Sequence, residues 1–201
     1  MLTGKKIVLG VSGGIAAYKM ANVASMLSKL HADIHVVMTE NATHFITPET
    51  FEVLTGNHCY TDTFDRCMEL HVPHIALGTQ ADAILIAPAS ADVVGKIANG
   101  IADDMLTTCV LPATCPVMLA PSMNVHMYEN PIVQDNMKKL ASYGYEIIEA
   151  DEGYLACRDI GKGKLPPEHV LVDYIIRACA MDKDLAGKKV LVTAGATQES
   201  I

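Results

Sequence analysis

Four short segments of the chain carry residue types that can do chemistry. In Gly10-Val11-Ser12-Gly13-Gly14 an apolar run ends in a small-residue turn that opens a helical pattern. Such a turn aims free N–H groups and the positive end of a helix at an anion such as a phosphate, although a tight turn with no ligand uses the same residues. It is not Gly-x-Gly-x-x-Gly, and no Walker lysine follows, so dinucleotide and nucleoside-triphosphate readings lose weight. In Pro121-Ser122-Met123-Asn124-Val125-His126-Met127-Tyr128, Asn124 can offer a donor and an acceptor to a carboxylate or amide, or it can cap a helix. Cys157 stands beside Arg158 in Gly153-Tyr154-Leu155-Ala156-Cys157-Arg158. A neighbouring cation stabilises a thiolate for nucleophilic or proton-transfer work. His74, within Val72–Leu77, carries an imidazole that can act as a base. A lone histidine among apolar residues is more often a packing or capping group, and His71 and His126 are alternatives. Glu40 stands where an acid can hold a ribose hydroxyl, or simply be solvated.

The elements that must position these residues follow from the apolar pattern. Five short apolar runs read as buried parallel strands: Ile7–Val11, Ile34–Met38, Ala83–Ala87, Val117–Ala120 and Glu146–Ile148. Helical stretches alternate with them at Ile15–Leu30, within Pro48–Leu54, and at Val93–Leu111 and Pro131–Tyr143. Alternation of this kind predicts an α/β, doubly wound, mostly parallel sheet with helices on both faces. Ligands of such sheets sit beyond the carboxyl ends of the strands. Ser12–Gly14, Thr39–Phe45, Pro88–Asp92 and Pro121–Tyr128 fall there, all rich in small or hydroxyl residues. Ala150–Pro167 reads as a long irregular loop of the kind that serves as a lid, followed by a helix over Pro167–Ala180. Gly4-Lys5-Lys6-Ile7-Val8-Leu9 recurs as Gly187-Lys188-Lys189-Val190-Leu191-Val192. The echo predicts a domain over 1–180, then a linker and the first strand of a second, truncated α/β domain over 181–201.

The 201 residues are half hydrophobic and carry a formal net charge of −8, which argues against nucleic acid or an anionic membrane as partner. Tryptophan is absent and methionine reaches 11, so a flat cofactor would rest on aliphatic and backbone groups. The six cysteines form no Cys-x-x-Cys pair, so no metal site is expected, and they read as reduced cytoplasmic thiols. Cys109, Cys115 and Cys179 have apolar flanks and read as packing residues.

Taken together, four blocks in order resemble the homo-oligomeric flavin-containing cysteine decarboxylases, and within them the flavoprotein half of the bacterial bifunctional phosphopantothenoylcysteine decarboxylase/phosphopantothenate–cysteine ligases. The blocks are Gly10–Lys19, Ile86–Asp92 with Gly95–Asp104, the Pro-x-Met-Asn-x-x-Met segment at Pro121–Met127, and Leu155-Ala156-Cys157. The tail Leu185–Glu199 resembles the opening of the ligase half, with Gly195-Ala196-Thr197-Gln198-Glu199-Ser200 in place of Gly-Gly-Thr-x-Glu-Pro.

The resemblance implies FMN-dependent decarboxylation of 4′-phosphopantothenoylcysteine to 4′-phosphopantetheine, a step of coenzyme A synthesis. Transient oxidation to a thioaldehyde gives the carboxylate's electrons a sink, and the enethiol left after CO2 departs is then reduced. It further implies that His74 is the base of the oxidative step, Asn124 the holder of the substrate carboxylate, and Cys157 the proton donor on a flap that excludes water. FMN contacts carry over to Gly13, Gly14, Ile15, Thr39, Asn41, Ser90, Ala91, Asp92, Val93 and Ser122, and substrate contacts to Asn124, Met127, Leu155 and Ala156. Family members are trimers or dodecamers of trimers with sites between subunits, so His74 and Asn124 can serve one site from different chains. Two features depart from the family: Arg158 replaces a glycine usual after the flap cysteine, and Tyr128 stands where tryptophan is common. The competing readings are an oxidative peptidyl-cysteine decarboxylase, against which Cys157 argues, and a non-catalytic regulatory subunit, against which the presence of His74, Asn124 and Cys157 argues.

Overall fold

The computed structural model describes residues 1–64, 72–156, 158–180, 187–193 and 195. Six parallel strands make the central sheet: β1 (Lys6–Val11), β2 (Asp33–Met38), β3 (Cys59–Tyr60), β4 (Ala83–Ala89), β5 (Val117–Pro121) and β6 (Glu146–Ile147). Their order is β3-β2-β1-β4-β5-β6. The chain therefore starts in the middle, winds out to one edge, and returns past β1 to build the other half. That reversal opens a crevice at the carboxyl ends of β1 and β4.

Side-chain alternation along the strands builds two cores. Ile7, Leu9 and Val11 face one cluster, with α1 (Lys19–Lys29), Phe51 of α3 (Pro48–Thr55) and α9 (Glu168–Cys179) packed over it. Val8, Ile84 and Ile86 face the other. That face is covered by α4 (Pro73–Gln80), α5 (Ala91–Ala98), α6 (Met105–Val110) and α8 (Pro131–Ser142). Two glycines allow close packing on that face: a Cβ at Gly10 would lie 2.5 Å from a Leu106 methyl, and one at Gly78 would lie 2.4 Å from the Cys109 carbonyl oxygen. Among the buried thiols, desolvation pushes Cys59 and Cys109 up to about 12, which keeps both protonated and unreactive at neutral pH.

The fold class is as expected, with several differences in detail. Helix α4, which carries His74, is not among the expected helical stretches. The sheet has a sixth strand, β3, whose two residues are too short to register as an apolar run. The helix expected over Val93–Leu111 is two helices: Gly100 adopts φ 68°, and Asp104 starts α6 with a capping box in which Thr107 N–H donates to its carboxylate at 2.8 Å. The segment expected to be irregular, 150–167, holds an antiparallel hairpin, β7 (Asp151–Tyr154) with β8 (Ile160–Lys164). Its glycine- and lysine-rich strands lack the apolar alternation by which a strand is read. Finally, residues 187–193 form no strand. Val190, Leu191 and Val192 lie 63%, 90% and 80% exposed, because no sheet edge among the described residues pairs with them.

Candidate functional site

The crevice at the reversal point is a cavity of about 480 Å³. It is lined by the turn after β1 (Gly13, Gly14, Ile15, Ala16, Tyr18, Lys19), the turn after β4 (Pro88, Ser90, Ala91), the loop after β5 (Ser122, Met123, Asn124, Met127) and the hairpin (Tyr154, Leu155, Ala156, Gly163, Lys164, Leu165). These are three of the four strand-end segments picked out from sequence, together with the lid.

Ser12 ties two of these turns together. Its fully buried hydroxyl donates to the Pro88 carbonyl at 2.6 Å and accepts the Ser90 N–H at 2.9 Å. It is thus a brace and not a ligand contact. The residues after it are differently placed. Gly14 is extended, no side chain caps the 3-10 turn Ile15–Tyr18 that leads into α1, and the first amide to bond back is that of Ala17, onto Gly14. The N–H groups ahead of Ala17 precede any intrahelical acceptor, and that is the geometry that attracts an anion. Gly13 packs on Asn41 so closely that a Cβ would stand 2.5 Å from the Asn41 Cβ.

Asn124 performs its capping role and is also tied to the hairpin. Its Oδ1 accepts the His126 N–H at 2.9 Å, starting α7 (Val125–Tyr128), and its Nδ2 donates to Asp159 Oδ2 at 2.8 Å. The hairpin docks on this loop by close backbone approach. The Met123 N–H donates to the Gly163 carbonyl at 3.0 Å, Gly163 lies against the Met123 oxygen, and Gly161 lies against Val125. At the hairpin tip the Leu155 N–H donates to the Asp159 carbonyl, and the Arg158 N–H donates to the Leu155 carbonyl. Arg158 takes the left-handed conformation, φ 71°. Glycine adopts φ > 0 without steric cost, so Arg158 carries backbone strain here that a glycine would not.

The cavity therefore brings together Gly13, Gly14, Ile15, Ser90, Ala91, Ser122, Asn124, Met127, Leu155 and Ala156. Other residues expected at the site stand outside its lining. The Thr39 hydroxyl caps α2 (Glu40–Thr43) by accepting the Ala42 N–H. Asn41 is exposed and adjoins the turn through Gly13. Asp92 pairs with Lys96, whose ammonium Asp103 and Asp104 also hold, so the charged form of Lys96 is favoured. The Val93 side chain is in the core and its N–H caps back to the Ser90 hydroxyl. His74 lies in the first turn of α4, half-buried, and its Nδ1 is shut away from solvent with no partner among the described residues. Cys157 and His71 fall outside the described residues.

Lys19 and Lys164 are the cavity's charged lining residues, with no acid among the others, and neither had been picked out from sequence. The available signal was the lysine excess in Lys162-Gly163-Lys164, in a chain with more acids than bases. Among the described residues no group of three or more histidine, cysteine or acidic side chains could hold a metal ion, and no helix is long and apolar enough to cross a membrane.

The uncapped helix start suits a phosphate. The mainly apolar walls and the volume suit a flat organic ring system of drug-like size. A flavin mononucleotide combines both.

Known proteins resemble this chain in sequence and fold. The chain is 47% identical over 203 residues to the coenzyme A biosynthesis bifunctional protein CoaBC of Bacillus subtilis (strain 168), covering 100% of this chain and 50% of that protein. It spans about half the length of the curated relatives it matches. Among solved structures, a PPC decarboxylase mutant complexed with pantothenoylaminoethenethiol superposes with a TM-score of 0.77 at 29% identity, covering 85% of this chain and 96% of that one. SpaF, an FMN-dependent cysteine decarboxylase, does so with a TM-score of 0.72 at 34% identity, covering 87% and 99%. Residues 1–180 match the Flavoprotein family, and the chain belongs to it.

Proposed function

We propose that this chain is the FMN-dependent decarboxylase that converts 4′-phosphopantothenoylcysteine to 4′-phosphopantetheine in coenzyme A synthesis. Likeness over the whole chain to bifunctional CoaBC proteins, and to a PPC decarboxylase holding a pantothenoyl ligand, supports the substrate. The observation that carries the reading is Asn124: a carboxamide on the cavity wall, fixed at both ends, directly beneath a docked hairpin.

The N–H groups of Gly13, Gly14 and Ile15 hold the flavin phosphate, and Ser90, Ala91 and Ser122 flank the ring system. Bound there, FMN supplies the reversible two-electron oxidation that gives the leaving carboxylate's electrons somewhere to go. Asn124 donates an N–H to the substrate carboxylate, which one amide can do only if its plane is held. The hairpin, with Leu155 and Ala156 against the cavity and Met127 on the facing wall, excludes water and so protects a reactive enethiol from hydrolysis. Cys157, next to Ala156 in the chain, holds the proton that this enethiol takes up. His74 removes the substrate proton in the oxidative step.

Because His74 stands outside the single-chain cavity, we assign it to the site of a neighbouring copy in a trimer, or in a dodecamer of trimers. Its enclosed, partnerless Nδ1 is a polar atom that assembly would account for. The segment 181–201 belongs, on this reading, to the start of a ligase domain, and the protein works in the cytoplasm.

The test is CO2 release from the substrate by the flavin-loaded protein, with Asn124→Ala alongside. Release by the parent that falls at least tenfold in the variant is expected, the cost of one charge-assisted hydrogen bond. Equal rates in both would remove Asn124 from the mechanism, and no release by the parent would overturn the assignment.

A further inference from the structure

The cavity lining is cationic in an acidic chain: two lysines, Lys19 and Lys164, and no acid. Four of the nine other described lysines are neutralised by acidic neighbours. Lys5 pairs with Asp82, Lys96 with Asp92, Asp103 and Asp104, Lys138 with Asp135, and Lys162, two residues before Lys164 on the same strand, with Glu149. Lys19 and Lys164 make no ion pair among the described residues. Two lysines without acidic partners on one cavity lining bias its potential toward anionic ligands.

On the reading proposed above, two phosphates must be placed there, one on the flavin and one on the substrate. The uncapped helix start serves the first, and Lys19 belongs to that same stretch of chain. Lys164 belongs to the hairpin instead. The hairpin's other end is fixed at Asn124, where Asp159 accepts its amide N–H. From Asp159 to Lys164 the backbone path is five residues, about 16 Å at full extension, and the Met123 N–H to Gly163 carbonyl bond brings Lys164 closer than that to the Asn124 loop. The substrate's carboxyl carbon and phosphorus are separated by roughly twelve bonds, about 14 Å when extended. A ligand with its carboxylate at Asn124 is therefore long enough for its phosphate to reach Lys164.

We propose that Lys164 is a specificity-determining residue, recognising the 4′-phosphate of the substrate and selecting phosphorylated over unphosphorylated pantothenoyl compounds. This rests on the decarboxylase reading above. A lysine on the lid itself lets the phosphate favour the docked hairpin, so binding energy from a remote group serves to close the site.

The test compares flavin-loaded Lys164→Gln and Lys164→Arg with the parent in two measurements. Steady-state kinetics use 4′-phosphopantothenoylcysteine and its dephosphorylated counterpart, and calorimetry uses 4′-phosphopantetheine and pantetheine. Loss of a lysine–phosphate contact costs about tenfold or more in affinity. For Lys164→Gln, KM for the phosphorylated substrate and Kd for 4′-phosphopantetheine rise by about that factor. The values for the dephosphorylated pair change far less, and Lys164→Arg recovers most of the loss. Flavin affinity, read by absorbance titration, is unaltered. Equal losses on both members of each pair, no loss on either, or a fall in flavin affinity instead would each overturn the assignment of Lys164. Failure of the parent protein to turn over either substrate would strike the decarboxylase reading itself.

Discussion

Replacing Gly163 by alanine isolates the contact that seats the hairpin on the Asn124 loop. Gly163 has φ 135°, a conformation that L-residues rarely adopt, and a Cβ there would stand 2.4 Å from the Met123 carbonyl oxygen. That oxygen is backbone and cannot rotate aside, so the strand or the loop must move. Backbone strain contributes about 1–3 kcal/mol, and the Met123 N–H to Gly163 carbonyl hydrogen bond, 3.0 Å long, is lost for about 1 kcal/mol more. The total of about 2–4 kcal/mol falls on docking, a shift of roughly 30- to 1,000-fold in that equilibrium. Neither core cluster includes Gly163, so the sheet itself should survive, with Leu165 keeping the hairpin's end anchored. Amide hydrogen exchange reads the effect directly. The Met123 amide should lose its protection while amides within β1 and β4 keep theirs, and kcat/KM should fall with the docked fraction. A Met123 amide as protected as in the parent, with catalysis unchanged, would refute the docking argument.

Three further outcomes follow from the same geometry. Ser12→Ala removes a buried hydroxyl that serves both Pro88 and Ser90. Stability should drop by about 2–3 kcal/mol, read as a Tm lower by about 5–10 °C, whereas a shift under about 2 °C would deny the brace. Arg158→Gly relieves a left-handed residue at the hairpin tip, a gain of about 1 kcal/mol less the entropy that glycine returns to the unfolded chain. Exchange of the Leu155 amide, bonded to Asp159, should slow; faster exchange would contradict the strain. Asp82 is raised by partial burial but lowered further by the Lys6 N–H and the Lys5 ammonium, leaving its carboxyl below the ordinary 3.8. A depressed native value means the stabilisation is present above 3.8 and is lost as pH falls through the native value. Denaturant titration of Asp82→Asn should therefore show a deficit at pH 7 that closes below pH 4, and a deficit independent of pH would contradict the ion pair.

Legibility in the sequence tracked apolar density. Strands β1, β2, β4 and β5 are runs buried on both faces and could be read directly, and they fixed where the site must lie. β3 and the hairpin could not: one is two residues long, and the other owes its form to glycines that let it lie against the Asn124 loop. The break between α5 and α6 was written in Gly100 and the Asp104–Thr107 capping box, a local signal outweighed by the helical pattern on either side. Asn124 was singled out for its donor and acceptor, and both are engaged in the structure, but its partner Asp159 lies 35 residues away in the chain, and no spacing rule connects them. Ser12 sat inside a segment read as a phosphate cradle, and only the fold shows that its hydroxyl is used internally while the glycines after it remain open to a ligand.

The central claim is a reaction with an oxidative and a reductive half, and the mass of its product reports on both. The flavin-loaded protein is incubated with 4′-phosphopantothenoylcysteine and the product is weighed. Loss of carbon dioxide alone is expected, because electrons borrowed from the substrate are returned to it. Loss of carbon dioxide together with two hydrogens, or an unchanged substrate mass, would contradict that claim.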